Sequence, residues 1–151
     1  MKQKDQLMNG VEQLSKKLDW LNRLMMEDAL KECKPSEVHC IEYIANNSAA
    51  NVTKLATHFY MTRGAISKLT KKLINRGYLE SYVKDDNRKE IYFRLTAKGQ
   101  KIEQIHQELH QKIDSRDEVV FTKIKAEQFK ALLSFVAEYN EHLDEEIKKV
   151  K

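Results

Sequence analysis

The sequence predicts a mostly helical protein with one small β-hairpin. Long stretches of the 151-residue chain repeat apolar residues every three or four positions, the spacing of one face of an α-helix. One proline and four glycines leave few residues that would interrupt these helices. Two short runs rich in β-branched and aromatic residues, YLESYVK and KEIYFRLT, are joined by the charged stretch DDNR. The predicted order is four helices, a hairpin and two further helices.

The first helix is predicted from apolar residues at alternating steps of four and three. This spacing is close to a heptad seam, and Trp20 and Leu24 widen the stripe. The helix should end before Pro35, because the residue before a proline avoids the helical region. The stripe comprises Leu7, Val11, Leu14, Leu18, Leu21 and Met25.

Three shorter helices are predicted next. Pro35 begins PSEVHCIEYIANN, VTKLATHFY follows a loop, and Thr62 is a good N-cap for RGAISKLTKKLINRGY. Gly77 stands where a glycine that ends a helix is expected. The residues expected to face inward are Val38, Ile41, Ile44 or Ala45, Val52, Leu55, Ala56, Phe59, Ile66, Leu69, Leu73 and Ile74.

Two helices are predicted after the hairpin. Thr96 can cap AKGQKIEQIHQELHQKI, although Gly99 weakens its first turn. The last helix should cover about residues 126–149. Its apolar stripe is Phe129, Leu132, Leu133, Val136, Tyr139, Leu143, Ile147 and Val150.

The positive charge is concentrated in the middle of the chain. Residues 62–101 carry eleven basic and four acidic side chains, whereas residues 1–61 are net neutral and residues 102–151 are net acidic. This distribution favours a polyanionic partner, with a solvated basic face as the alternative. No apolar run approaches the ~20 residues of a membrane span, and the start lacks an apolar signal-peptide core. We therefore expect a cytoplasmic protein with Cys33 and Cys40 reduced.

The element order is that of a winged helix-turn-helix that binds double-stranded DNA. The second short helix, residues 62–76, would enter the major groove. Its first turn would meet base edges or phosphates, and its lysines would neutralise phosphates. The hairpin tip would reach a minor groove, where the negative potential favours insertion of an arginine. The candidate DNA-contacting residues are Thr62, Arg63, Gly64, Ser67, Lys68, Lys71, Lys72 and Arg88.

No arrangement of residues indicates an enzyme, so no catalytic residue is predicted. The stretch HQELH places two histidines four apart on one helix face. A metalloprotease signature needs glutamate directly after the first histidine, but Gln107 follows His106 and Glu108 faces away from the pair. No Gly-rich phosphate loop and no nucleophile on a sharp turn is present.

The stretch LATHFYMTRGAISKLTKKLINRGYLE, the hairpin DDNRKEIYFRLT and the following TAKG resemble the MarR family of bacterial transcriptional regulators. The resemblance implies that a D-x-R element in the wing places its arginine in the minor groove and that the aspartate braces it. Asp86-Asn87-Arg88 fits that element, and Lys89 is the inserted residue if the register slips by one. Ser81 stands where the family commonly has an arginine.

The resemblance also implies a homodimer formed through the first and last helices. Both apolar stripes fit this, because each is too apolar for a lone surface helix. Such a two-fold dimer would read a pseudo-palindromic operator. The expected division is dimerisation helices at 1–34 and 115–151 around a DNA-binding lobe, with its connecting helix, at 35–114. The residues expected at the dimer contact are Leu7, Val11, Leu14, Leu18, Val136, Tyr139, Leu143 and Ile147.

The histidine pair raises the possibility of a metal effector. Zinc favours four N, S or O donors, and the joint between the first two helices offers Glu27, Cys33, Glu37, His39 and Cys40. Solvated histidines and small buried thiols are the alternative interpretation.

A closer resemblance is to MarR-like repressors that sense zinc and control its uptake. His106 and His110 match their histidine pair, Cys33 matches a cysteine that ends the first helix, and Glu27 matches an acidic residue six positions earlier. His39 falls where those proteins usually carry a glutamate, and Cys40 where they carry a histidine. The resemblance implies a zinc site formed by Glu27, Cys33, His39, Cys40, His106 and His110.

Other interpretations stay open at this point. The effector could be a small aromatic or phenolic ligand bound between the lobes, or oxidation of Cys33 or Cys40. A helical interaction protein without DNA affinity is the alternative from another functional class. Only a DNA binder should lose affinity steeply as salt rises.

Overall fold

The computed structural model describes residues 2–150, and its helices and strands follow the predicted order. The first helices are α1 (Gln3–Ala29), α2 (Pro35–Asn46), α3 (Val52–Phe59) and α4 (Arg63–Asn75). They are followed by β1 (Leu79–Lys84), β2 (Asn87–Leu95), α5 (Ala97–Phe121) and α6 (Ala126–Val150). The predicted fold class is therefore confirmed, with a mostly helical chain and a hairpin wing.

The end of α1 packs into the core, whereas the rest of that helix is largely exposed. Met26 and Leu30 are buried, and the chain turns at residues 31–33 before α2 begins. Pro35 occupies the first turn of α2, where the missing N–H of proline costs nothing. The Lys34 backbone N–H donates to Glu37 Oε1 at 2.9 Å and closes the capping box of α2.

The core lies between α2, α3, α4 and the hairpin. Ile44 rather than Ala45 completes the inward face of α2, because Ile44 is buried and Ala45 is exposed. The predicted stripe of α4 is only partly buried, since Leu69 and Ile74 keep some exposure. The largest fully buried apolar side chains are Val38, Ile41, Leu55, Ile66, Leu73, Tyr78 and Leu79.

Two backbone features position α4 against its neighbours. The Thr62 hydroxyl accepts a hydrogen bond from the Ala65 N–H at 3.1 Å, which confirms the predicted N-cap. Gly77 follows the helix with φ +84°, a left-handed conformation that favours glycine. Gly99 also has a structural role that the sequence did not reveal, because a Cβ there would collide with the backbone carbonyl of Tyr78.

The hairpin is antiparallel, and its turn is tighter than predicted. Asp85 and Asp86 alone form the turn, because Asn87 and Arg88 continue into β2. The register shifts between Tyr82 and Lys84. The loop after α2 joins the sheet through an isolated bridge, in which the Phe93 N–H donates to the carbonyl of Ala50 at 2.9 Å.

The chain divides into two compact units between Gln111 and Lys112. The first unit contains α1 together with the winged region and the start of α5. The second unit contains the end of α5, which continues to Phe121 rather than ending near residue 113, and α6. Within residues 2–150, no helix combines the length and apolar character needed to cross a bilayer.

Candidate DNA-binding face and histidine cluster

The outer face of α4 carries the basic residues that the sequence predicted for DNA contact. The opposite face is buried through Ile66, Thr70 and Leu73. Because the buried residues fix the rotation of the helix, the basic side chains point away from the core. The outward residues are Arg63, Gly64, Lys68, Lys71 and Lys72, and Ser67 beside them is half-buried.

The first turn of α4 is ordered but open to a partner. The Arg63 Nη1 group donates to Thr53 Oγ1 at 2.6 Å, so the guanidinium is held against α3. Gly64 has no atom within 4 Å of the position that a Cβ would occupy. Packing within the chain therefore does not require a glycine there, whereas close approach of a nucleic acid would.

The other end of α4 is anchored by an ion pair between the buried Glu37 and the partly exposed Arg76, which the sequence did not reveal. Glu37 is only 1% exposed, and its Oε2 accepts from Arg76 Nη1 at 2.7 Å. Arg76 also donates to the backbone carbonyl of Glu32. The Lys72 ammonium lies 3.9 Å from the same Glu37 oxygen, so this lysine is shared between Glu37 and the outer face. No local pattern signals the pair, because its members are 39 residues apart.

The wing presents an exposed arginine at its tip. Arg88 is exposed over 74% of its side chain, and its Nη2 lies 3.5 Å from Asp85 Oδ1. The aspartate paired with Arg88 is thus Asp85, whereas the D-x-R element had suggested Asp86. Asp86 and Lys89 are both exposed beside it.

A second cluster forms where α2 meets α5. The Nδ1 atom of His106 lies 2.9 Å from Glu42 Oε2, and the Nε2 atom of His110 lies 3.4 Å from the same oxygen. Ligand atoms of these three residues all lie within 4.8 Å of one another. Two imidazoles and a carboxylate at this separation are a donor set that suits zinc.

The buried histidine of this cluster lacks hydrogen bonds. His106 is fully buried, and neither of its ring nitrogens has a hydrogen-bond partner among residues 2–150. Its Nδ1 is close to Glu42, but that contact lacks the direction of a hydrogen bond. Burial lowers the pKa of His106, and the Glu42 carboxylate opposes part of that shift. His106 is thus held towards its neutral form, which is the form that binds metals.

Glu103 adds a further buried oxygen beside this histidine. Its Oε1 accepts from Gln107 Nε2 at 3.1 Å, whereas its Oε2 lies 3.8 Å from His106 Nδ1 and has no hydrogen-bond partner in the part of the chain that the structure describes. Burial raises the pKa of Glu103. Buried polar atoms without partners are costly, and a bound cation would relieve that cost at Glu103 and His106.

The other predicted ligands do not join the cluster. Glu27 is exposed, and the exposed His39 approaches only through its ring, 5.9 Å from the His106 ring between centroids. Cys33 is buried and hydrogen-bonded to Tyr78, and burial raises its thiol pKa. Burial raises the pKa of Cys40 to about 12. Both cysteines therefore remain largely protonated, whereas the thiolate is the form that binds metals.

Sequence reasoning missed Glu42. The signal that could have found it is its position three residues after His39, on the same side of α2. The predicted ligands at the joint before α2 included the cysteines, whereas the histidines of α5 meet Glu42 in the middle of α2.

A cavity of about 400 Å³ lies between the end of α1 and the start of α5, apart from the histidine cluster. Three lysines, four aliphatic residues and two acidic residues contribute to it. The lining residues are Asp28, Ala29, Leu30, Lys31, Glu32, Lys98, Lys101, Ile102 and Ile105.

Comparison with known proteins identifies the region that holds the basic face. Residues 34–91 match the profile of the MarR family. This part of the chain is a winged helix-turn-helix similar to that of MarR-family proteins. Members of this family are transcriptional regulators rather than enzymes, in agreement with the expectation that the chain is not an enzyme.

Two relatives from Bacillus subtilis (strain 168) are similar to part of this chain. The uncharacterized HTH-type transcriptional regulator YhjH is 34% identical over 99 residues, covering 65% of this chain and 57% of the relative. The HTH-type transcriptional regulator PchR is 30% identical over 111 residues, covering 74% of this chain and 66% of the relative. The chain thus spans less than two thirds of either regulator.

Solved structures share the fold over nearly the whole chain. FabT from Streptococcus pneumoniae, solved in complex with DNA, superposes with a TM-score of 0.80 at 15% identity, covering 93% of this chain and 97% of FabT. The adhesin competence repressor AdcR from Streptococcus pyogenes gives a TM-score of 0.68 at 19% identity, covering 95% and 98%. At these identities the similarity concerns the fold alone.

Proposed function

We propose that this chain is a homodimeric, sequence-specific DNA-binding repressor that occludes a promoter. The observation that carries the proposal is the basic outer face of α4 beside a wing with an exposed Arg88 tip. Related chains are named HTH-type transcriptional regulators, and one structural neighbour was solved with DNA. Both support the proposal.

In this mechanism α4 enters the major groove and its first turn reads the bases. The Arg63 guanidinium reaches a base edge, either keeping or releasing its contact with Thr53. Gly64 lets the helix backbone approach the DNA closely. Lys68 and Lys71 neutralise phosphates and set the position of the helix on the duplex. Arg88 enters the neighbouring minor groove, where the potential is most negative.

The exposed apolar stripes support a dimer. On α1 the stripe at Leu7, Val11, Leu14 and Leu18 lies open, with Leu14 exposed over 58% of its surface. On α6, Val136 and Leu143 are exposed, while Tyr139 and Ile147 are half-buried. Apolar surface of this extent on a small chain marks an interface. A two-fold dimer would present two copies of α4 to a pseudo-palindromic operator.

We further propose that zinc is the effector, with Glu42, His106 and His110 as its protein ligands. This set keeps the predicted histidine pair and replaces the predicted cysteines, Glu27 and His39 by one carboxylate. Zinc would supply a positive charge beside the partly exposed carboxylate of Glu42 and the buried carboxylate of Glu103. It would join α2 to α5 and so change the spacing of the two recognition helices.

The structure favours one of the two alternative effectors, a small aromatic ligand, over the other, thiol oxidation. Thiol oxidation is disfavoured, because burial raises the pKa of both cysteines and reduces their thiolate fraction. A small anionic aromatic ligand is favoured by the cavity between α1 and α5, where Lys98 and Lys101 could pair with a carboxylate.

The test is DNA affinity of the metal-stripped protein, measured by fluorescence anisotropy with the DNA upstream of its own gene. We expect the dissociation constant to rise steeply with salt, because bound phosphates release counterions. Zinc at fixed salt should then shift the affinity, and salicylate should not. Binding that ignores salt would indicate a helical interaction protein instead. A shift with salicylate but not zinc would replace the metal by an aromatic effector.

A further inference from the structure

Tyr60 occupies an unfavourable backbone conformation at the turn between α3 and α4. It ends α3 with φ +53° and ψ +42°, and its N–H donates to the carbonyl of Ala56. Glycine, or sometimes asparagine, is usual at such a position, because a Cβ is disfavoured in the left-handed region. The fold therefore holds a large aromatic residue where a glycine would be less strained.

The folded chain gains little from this ring. Tyr60 is exposed over 65% of its surface, so burial offsets little of the backbone cost. Ala49 is the other described non-glycine residue with positive φ, and the fold does gain from its conformation. Its conformation leads directly into Ala50, which is buried and pairs with Phe93 of the sheet. The conformation of Ala49 therefore contributes to folding. The strained conformation of Tyr60, with its exposed ring, indicates a role in binding instead.

The position of Tyr60 indicates what it would meet. It lies two residues before the Thr62 cap and three before Arg63, at the open end of α4. In a helix-turn-helix the first helix crosses the DNA backbone and the second enters the groove, so the turn between them lies over the backbone. Tyrosine hydroxyls are among the groups that donate hydrogen bonds to phosphate oxygens.

We propose that the Tyr60 hydroxyl donates a hydrogen bond to a DNA phosphate next to the groove that α4 enters. The proposal rests on the proposed DNA-binding function and adds to it a contact that carries no charge. Tyrosine has few rotatable bonds, so holding this ring costs less side-chain entropy than holding a lysine. The contact would fix the register of α4 without reading sequence.

The experiment compares Tyr60→Phe, which removes only the hydroxyl, with Tyr60→Gly, which also removes the strain. Binding is measured by anisotropy on the upstream DNA and on a scrambled duplex at several salt concentrations. Both variants should bind both duplexes about tenfold more weakly, the loss of one hydrogen bond to a charged group. The slope of affinity against salt should not change. Lys68→Ala, by contrast, should reduce that slope by about one.

Stability separates a DNA contact from a structural role. Tyr60→Gly should raise the Tm by about 2 °C at equal protein concentration while weakening DNA binding. Ala49→Gly is the matched control and should raise the Tm similarly with unchanged DNA affinity. A lower Tm in Tyr60→Gly would show that the ring supports the fold and would overturn the proposal.

The remaining outcomes are equally decisive. Wild-type affinity in both Tyr60 variants would exclude the contact. A loss confined to the upstream DNA would indicate a base contact and refute the phosphate assignment. Unchanged DNA binding with lost repression in cells would point to a protein partner and overturn the proposal. If the wild-type chain bound no DNA with salt dependence, the proposed function itself would fail.

Discussion

Arg76→Ala should destabilise the protein strongly, because it leaves a buried carboxylate without its partner. Glu37 is 1% exposed, and its Oε2 lies 2.7 Å from Arg76 Nη1. Breaking a buried ion pair from one side costs about 3–5 kcal/mol, far more than the pair itself contributes. The Arg76 side chain keeps 32% exposure, so water can partly solvate the change. We therefore expect about 3 kcal/mol, equivalent to a Tm lowered by about 9 °C.

The assay is urea unfolding of Arg76→Ala, Glu37→Gln and the double variant at one protein concentration. Because the neutral amide no longer needs a cation, the double variant should be less destabilised than the sum of the single changes, with a coupling energy above about 1 kcal/mol. Arg94→Ala is the matched control. Its pair with Glu80 has the same 2.7 Å separation but is exposed on both sides, so it should cost less than about 1 kcal/mol. Equal costs for Arg76→Ala and Arg94→Ala, or no coupling, would refute the reasoning.

Four further predictions concern the proposed function. Arg63→Ala should abolish specific DNA binding while sedimentation still shows a dimer; wild-type affinity would remove Arg63 from the interface. His110→Ala should weaken zinc binding by at least about 100-fold in a chelator competition, whereas Glu27→Gln should leave it unchanged. If Glu27→Gln weakened zinc binding and His110→Ala did not, the metal site would lie at the joint before α2. Leu14→Glu should shift the dimer to monomers in sedimentation; an unchanged dimer would place the interface elsewhere. Burial lowers the pKa of His106, so the metal-free folded chain binds fewer protons than the unfolded chain just below pH 6.5. Its stability should therefore fall as pH drops from 6.5 towards the lowered pKa, by at most about 1.4 kcal/mol per pH unit, and His106→Gln should flatten that slope in urea titrations.

Local signals predicted most of the fold. Helix periodicity predicted the order of the elements. Thr62 predicted the start of α4, and Gly77 predicted its end. Each of these signals acts between residues a few positions apart, where spacing alone determines which groups can meet. The length of α5 was underestimated, because residues 114–121 continue the helix without a clear apolar period.

The residues that sequence reasoning missed all act across long separations. Glu37 and Arg76 are 39 residues apart, and Glu42 meets His106 from another helix. Charged residues at these positions look like solvated surface residues in the sequence, since periodicity cannot distinguish a buried carboxylate from an exposed one. The histidine pair could be found because both residues share one helix face, but its partner depended on how α2 packs against α5.

Helix α2 contacts both helices of the helix-turn-helix region and the histidine cluster. Near its start, Glu37 holds the end of α4 through Arg76. In its middle, Glu42 approaches His106 and His110 of α5. The next residue, Tyr43, places its ring 4.6 Å from that of His58 on α3, between centroids. An effector that fixes Glu42 therefore acts on a helix already in contact with both members of the helix-turn-helix. Because these contacts are short and packed, a small displacement of α2 would reach α3 and α4 without any change in the DNA-binding residues themselves.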